Sequence, residues 1–166
     1  MIPKLSDITP VQSQYLAFIE RLKADGFTGD TNPDYANRVV LSTDNSIYQV
    51  LPQGVIFPKS VEDIQLLVRL AHLEEFQSIV LSPRGGGTGT NGQSLTDGLI
   101  VDLSKHMNKV LEINAQEGWA RVQTGVVKDQ LNAAVKEQGL FFAPELSTSN
   151  RATVGGMINT DASGQG

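Results

Sequence analysis

Residues 78–92 read Ser78-Ile79-Val80-Leu81-Ser82-Pro83-Arg84-Gly85-Gly86-Gly87-Thr88-Gly89-Thr90-Asn91-Gly92, an apolar strand that runs straight into a glycine-crowded loop. Four of the five residues 85–89 are glycine. Glycine costs backbone entropy, so such a cluster marks positions where a side chain would be in the way. The rest of the chain shows the same bias, with 13 of its 16 glycines in residues 85–166.

Three ligand-binding readings compete for the loop. A P-loop ends in Gly-Lys-Ser/Thr, with the lysine reaching the outer phosphates. No lysine lies between Lys59 and Lys105, which removes that reading. Gly87-Thr88-Gly89-Thr90-Asn91-Gly92 matches the dinucleotide fingerprint G-x-G-x-x-G literally. That fingerprint works by starting a helix whose amino end faces a pyrophosphate. Only five residues separate Gly92 from Gly98, and the β-type run Leu99–Leu103 follows, so the helix has no room. The third reading is a helix-free nest, in which successive backbone N–H groups of a glycine-rich turn hold an anion. Thr88 and Thr90 add hydroxyls, and Arg84 is expected to add a positive charge at the loop's mouth. The plain alternative is a flexible surface turn. Pro83 and a glycine cluster tied to an apolar strand argue against it.

Outward from the loop the chain alternates β and α. Gly54–Pro58 predicts a strand closed by proline. Ser60, with Asp63 three residues on, predicts the cap of a helix reaching about Phe76, with Val61, Ile64, Leu67, Val68 and Ala71 as its apolar stripe. Ser78–Ser82 and Gly98–Leu103 predict strands, and Lys109–Ile113 with Trp119–Gln123 predict a hairpin. Val126 to Val135 predicts a helix closed by Gly139. Near the start, Thr9 and Pro10 predict a helix opening, Val11, Tyr15, Phe18, Ile19 and Leu22 its buried face, and Gly26 its stop. Residues 27–53 are polar and turn-rich, and predict a mostly irregular connection across the surface. After Pro144 comes a Ser/Thr-rich loop, then a second glycine group, Thr153-Val154-Gly155-Gly156 to Gly164. Taken alone, Gly155-Gly156 reads as an ordinary helix start.

The 166 residues carry a net charge of −5, with 40% apolar and 19% charged residues, enough for a packed core. An acidic chain has no basic excess to displace counterions from nucleic acid. No apolar run approaches the roughly 18 residues that a membrane span needs. The opening MIPKLSDITP lacks a secretory signal's apolar stretch. With no cysteine, the segment has no disulfide, thiolate metal site or iron–sulfur ligation. The end at DASGQG has no closing element and is expected to lie inside a domain.

Taken together, Gly54–Pro58 with Ser60–Asp63, Pro83–Gly87, Gly125-Val126-Val127, Pro144 with Ser147-Thr148-Ser149, Thr153–Gly156 and Ala162–Gly164 come in the order and spacing of a known family. The chain over about residues 35–166 resembles the FAD-binding domain of the vanillyl-alcohol oxidase/p-cresol methylhydroxylase type. Within it the chain is most similar to the D-2-hydroxyacid dehydrogenase branch, in the form that large bacterial proteins join to an iron–sulfur region. The resemblance implies an α+β fold of two α+β subdomains with FAD between them, truncated here. Residues 1–34 would be an N-terminal helix and connection, and residues 35–166 the N-terminal portion of the FAD-binding domain.

By position, the resemblance implies that Arg84, Gly85, Gly86, Gly87, Thr88, Gly89 and Thr90 wrap the FAD pyrophosphate, with Gln93 and Ser94 continuing that wall. Pro144, Glu145, Ser147 and Thr148 would line a second loop. Thr153, Gly155, Gly156, Asn159, Ala162 and Gly164 would approach the flavin and its ribityl chain. FAD is expected to be non-covalent, since there is no cysteine and His72 and His106 lie outside both loops. The implied activity is oxidation of a D-2-hydroxy acid of the 2-hydroxyglutarate or lactate type by hydride transfer to FAD. The catalytic residues are expected after residue 166, so the segment alone is expected to be inactive. Asp161 and Glu145 are the nearest carboxylates and read as solvated loop residues. Any iron–sulfur cluster would belong to later sequence, and the electron acceptor stays open. No metal, nucleic-acid partner or membrane span is expected, and the protein is expected in the cytoplasm or peripheral to the inner membrane. Two alternatives stand: a non-catalytic nucleotide-binding module, and the FAD domain of an NADPH-using UDP-sugar enolpyruvyl reductase.

Overall fold

The computed structural model describes residues 9–164. Its elements are α1 (Ser13–Ala24), β1 (Asp30–Asn32), α2 (Tyr35–Val40), β2 (Gly54–Phe57), α3 (Val61–Ala71), β3 (Leu81–Arg84), β4 (Leu99–Asp102), β5 (Val110–Asn114), β6 (Trp119–Val122), α4 (Lys128–Val135) and α5 (Val154–Asn159). One sheet has the order β1-β2-β4-β3. β2, β4 and β3 run parallel, while β1 is antiparallel to β2. β5 and β6 form a separate antiparallel hairpin. The mixed α+β architecture agrees with the expected class.

The sheet's centre is covered on both sides. Every residue of β2 and β4 is buried, as a strand between two covered faces requires. Ile56, Leu99 and Val101 face Phe18, Ile19 and Leu22 of α1 and Leu66, Leu67 and Leu70 of α3. Val55, Phe57 and Ile100 face the other way, against Leu41. Burying each large side chain contributes about 1.5–3 kcal/mol, and Phe18 also meets Phe76 edge-to-face at 5.2 Å. A second cluster, Val126, Leu131 and Val135, joins α4 to the β5–β6 hairpin. Among the described residues no helix is long and apolar enough to cross a membrane.

Two local expectations are corrected by tertiary hydrogen bonds. α1 begins after Gln12, not at Thr9 and Pro10. The Gln12 N–H donates to Gln53 Oε1 at 2.9 Å, and the Thr9 carbonyl accepts from the buried Arg38 guanidinium at 3.0 Å, which fastens the lead-in segment. The face expected for α1 is otherwise the buried one, and Gly26 sits at φ +96° just past its end. In α3, Val61 and Val68 are exposed, whereas Asp63, Leu66, Leu67 and Leu70 are buried. Asp63 sets that rotation: its carboxylate accepts from Thr28 N at 2.8 Å, Thr28 Oγ1 at 2.9 Å and Lys59 N at 2.8 Å. The helix stops at Ala71, and Phe76 belongs to a separate single turn. Residues 27–53 are mostly irregular, as expected, and carry only the short β1 and α2, with the Asp34 side chain capping α2 through Asn37 N at 3.1 Å.

Candidate functional site

The loop after β3 leaves the sheet at its edge, where Pro83, lacking an N–H, is tolerated. It then runs against residues 151–156. A side chain at Gly85 would overlap the Thr153 hydroxyl, and one at Gly86 would overlap the Arg151 carbonyl. Thr153 is buried and bridges to Val127. The two glycine groups, some 70 residues apart, are therefore one packed unit. Gly85 and Gly86 are kept free of side chains by the protein's own packing, a role the sequence alone ascribed to a ligand.

Arg84 does not stand at the loop's mouth. It is 8% exposed, and its guanidinium turns under the loop. Nη2 donates to the Thr43 carbonyl at 2.7 Å, and Nη1 donates to the Leu41 carbonyl at 3.4 Å and Ser94 Oγ at 3.3 Å. A Cβ on Gly87, at φ +62°, would meet Arg84 Nη2 at 2.6 Å. Ser94 Oγ donates in turn to Asp44 Oδ2 at 3.0 Å. Burial pulls the Arg84 guanidinium below its ordinary value, and the Asp102 and Asp44 charges oppose that. Burial works to raise the Asp44 carboxyl, yet hydrogen bonds from Ser46 and Ser94 and the Arg84 charge hold it below the usual carboxylate range.

The backbone donors divide sharply between the two glycine groups. At the start of α5 all are used within the protein: Val154 N–H donates to Val126 O at 2.8 Å, Gly155 N–H to Thr124 O at 2.9 Å and Gly156 N–H to Thr153 Oγ1 at 3.3 Å. In the loop, none of the N–H groups of Gly86, Gly87, Thr88, Gly89 and Thr90 finds an acceptor among the described residues. The loop's carbonyls behave oppositely. Gly87 O accepts from Asn45 N at 3.0 Å and Arg84 O from Leu103 N at 2.9 Å. Across a trans peptide the N–H points opposite to the C=O. Fixing those carbonyls therefore directs the Gly85 and Thr88 N–H groups away from Leu103 and Asn45.

A cleft of about 670 Å³ lies along this unit. It gathers Arg84, Gly85, Gly86, Gly87, Thr88, Gly89, Thr90, Gln93, Ser94, Thr153, Gly155, Gly156, Asn159 and Ala162 onto one surface. Pro144, Glu145, Ser147, Thr148 and Gly164 do not line it, and their loop contributes Leu146 instead. Glu145 accepts a hydrogen bond from the buried Lys128 ammonium at 3.2 Å, which ties that loop to α4. Lining residues outside the expected cofactor set are Pro83, Leu103, Thr124, Leu146, Ala152, Met157 and Thr160. Pro83 adjoins the motif and was legible there. The others reach the cleft through tertiary packing.

The sequence profile of a family described as an FAD binding domain matches residues 52–166. The whole chain is 63% identical to part of a D-2-hydroxyglutarate dehydrogenase of Pantoea ananatis and 60% identical to part of one of Escherichia coli, covering 16% of the length of each. The chain thus spans about a sixth of the curated relatives it matches. Among solved structures, an alkyldihydroxyacetonephosphate synthase superposes with a TM-score of 0.81 at 25% identity, over 98% of this chain and 35% of that one.

Proposed function

The chain belongs to the FAD binding domain family, and on that premise we propose that it forms the first part of the FAD-binding region of an enzyme that oxidises a D-2-hydroxy acid of the 2-hydroxyglutarate class. The observation that carries the cofactor assignment is the row of N–H groups from Gly86 to Thr90, without acceptors among the described residues, on the wall of the cleft. The substrate assignment is supported by the relatives of the whole chain, which are D-2-hydroxyglutarate dehydrogenases.

In this reading the loop N–H groups hold the diphosphate without a cationic patch, as a backbone nest can. That suits a chain of net charge −5. Thr88 and Thr90 add hydroxyl donors, and Gln93 and Ser94 extend the same wall. Thr153, Gly155, Gly156, Asn159 and Ala162 form the wall toward the flavin and ribityl chain. The second loop approaches through Leu146, with Glu145 held back by Lys128. Bound FAD supplies the hydride-accepting ring, and the protein supplies binding and orientation. Attachment is non-covalent, because the chain has no cysteine and neither His72 nor His106 lines the cleft. The groups that take the hydroxyl proton and hold the substrate carboxylate lie outside residues 1–166. Residues 35–166 are the FAD-binding portion, preceded by α1 and β1, and the proposed location is the cytoplasm or the periphery of the inner membrane.

An absorption spectrum of the purified full-length protein tests this. Flavin bands that bleach anaerobically with D-2-hydroxyglutarate support the proposal. Bleaching by NADPH and not by hydroxy acids would move the chain to a reductase. Absence of flavin, with tight binding of another nucleotide, would leave a nucleotide-binding module.

A further inference from the structure

We propose that Asp44, with Ser94 and Arg84, positions the glycine loop for the cofactor's diphosphate, and that Arg84 acts from beneath the loop as a positioning residue and not as a phosphate ligand. The inference rests on the FAD reading above and deepens it. Asp44 lies before residue 52, outside the region that the family profile matches.

The geometry runs in one direction. The segment 41–46 lies behind the loop and holds it at separate points. Arg84 reaches its carbonyls at Leu41 and Thr43, Ser94 reaches Asp44, and Asn45 N–H binds Gly87 O. Asp44 is itself fixed, since Oδ1 accepts from Ser46 N at 2.8 Å. The last contact is the decisive one. It sets the 87–88 peptide plane, and so aims the Thr88 N–H away from Asn45. The Arg84 guanidinium fills the space beneath Gly87 and has no room for a side chain there. A guanidinium already committed to two carbonyls and a hydroxyl, and nine-tenths buried, would have to abandon them to reach a ligand.

The two roles predict opposite signs for one substitution. Asp44→Asn removes a negative charge near an anion site. If Arg84 touched the diphosphate directly, losing its competing carboxylate would tighten FAD or leave it unchanged. If Asp44 positions the loop, FAD binding weakens despite the more favourable charge. We expect about a tenfold weaker FAD affinity in Asp44→Asn, the size of one lost charge-assisted hydrogen bond. Ser94→Ala, a milder change, is expected to weaken FAD severalfold. Riboflavin, which has no diphosphate, should bind both variants within about twofold of wild type.

The measurements are FAD and riboflavin titrations of full-length apoprotein by fluorescence quenching, and hydrogen exchange of the Asn45 amide. The Asn45 amide should exchange about tenfold faster in Asp44→Asn, as its bond to Gly87 loosens. Unchanged or tighter FAD binding by the variants, or an equal loss of FAD and riboflavin, would overturn the assignment. If the wild type binds no FAD, the cofactor reading fails, and the Asn45 exchange rate decides the positioning role alone. Should Asp44→Asn not fold, the Asn45 exchange rate in Ser94→Ala decides, because Ser94 itself lines the cleft and its FAD affinity alone does not separate the two roles.

Discussion

Gly86→Ala separates two reasons for a glycine. A Cβ at this position would lie 3.0 Å from the Arg151 carbonyl carbon and overlap its oxygen. That partner is backbone and cannot swing aside. It is also anchored, because Arg151 N and Ala152 N both donate to Thr148 O at 2.8 Å and Ala152 O accepts from Lys128 N at 3.0 Å. Relief must come from moving the loop or the 148–153 segment, an overpacking cost of about 1–3 kcal/mol. For a unit of this size each kcal/mol lowers the melting temperature by about 2–4 °C, so the apoprotein should melt about 2–12 °C lower. Gly156→Ala is the comparison. Its Cβ would meet only Thr153 Oγ1, at 3.2 Å, and its position is helical. Alanine regains about 0.5–1 kcal/mol in a helix, so this variant should stay within about 1 kcal/mol of wild type. Thermal unfolding of the apoproteins by circular dichroism reads both. If Gly86→Ala melted with wild type and lost only cofactor affinity, the glycine would serve ligand clearance alone, and the packed unit described here would be wrong.

Three further changes test the frame around the site. Asp63→Ala strands the Thr28 and Lys59 N–H groups and should cost about 2–4 kcal/mol in urea unfolding. Arg38→Met leaves the Pro52 and Thr9 carbonyls without their guanidinium at 2.6 and 3.0 Å, and should cost about 2–3 kcal/mol by the same measurement. Asp30 is held well below the usual carboxylate range by hydrogen bonds from Lys105 and His106; burial opposes them, and Lys59 adds a smaller pull in their direction. Its folded value lies below its unfolded one, so its contribution is full above about pH 4 and fades as pH falls through the folded value. Asp30→Asn should therefore lower the urea midpoint at pH 7, with the gap to wild type closing in strong acid; a gap independent of pH would count against that pairing.

How much of this was legible depended on whether the signal was local. The capping of α3 by Ser60, the stops at Gly26 and Gly139 and the buried run of β4 were readable because each cause lies within a few residues. The face of α3 was misread because Asp63 looks like a solvent residue until Thr28, 35 positions away, is placed beside it. The start of α1 failed for the same reason, through Gln53 and Arg38. Within the site, the glycine loop announced itself, and Gln93, Ser94, Thr153 and Asn159 fall on its cleft. Asp44 left no sequence signal. It is one polar residue in a polar stretch, and its meaning comes only from contact with Ser94.

The two glycine groups also resolve the question of what would face an anion. A helix start offers about four unpaired N–H groups and a favourable dipole, so α5 would be the first place to seek one. Its first three amides are instead consumed by Val126, Thr124 and Thr153. Those bonds draw Thr153 into the core, where it backs Gly85. The loop is the reverse case: its carbonyls at Arg84 and Gly87 are spoken for, while the amides from Gly86 to Thr90 have no acceptor among the described residues. Fixing carbonyls from behind is how a glycine-rich segment, entropically the least inclined to hold one shape, can be made to present donors in front. The rigid partner in that arrangement is the helix start, and the donor surface is the loop. Gly85 and Gly86 follow from the closeness with which the two pack.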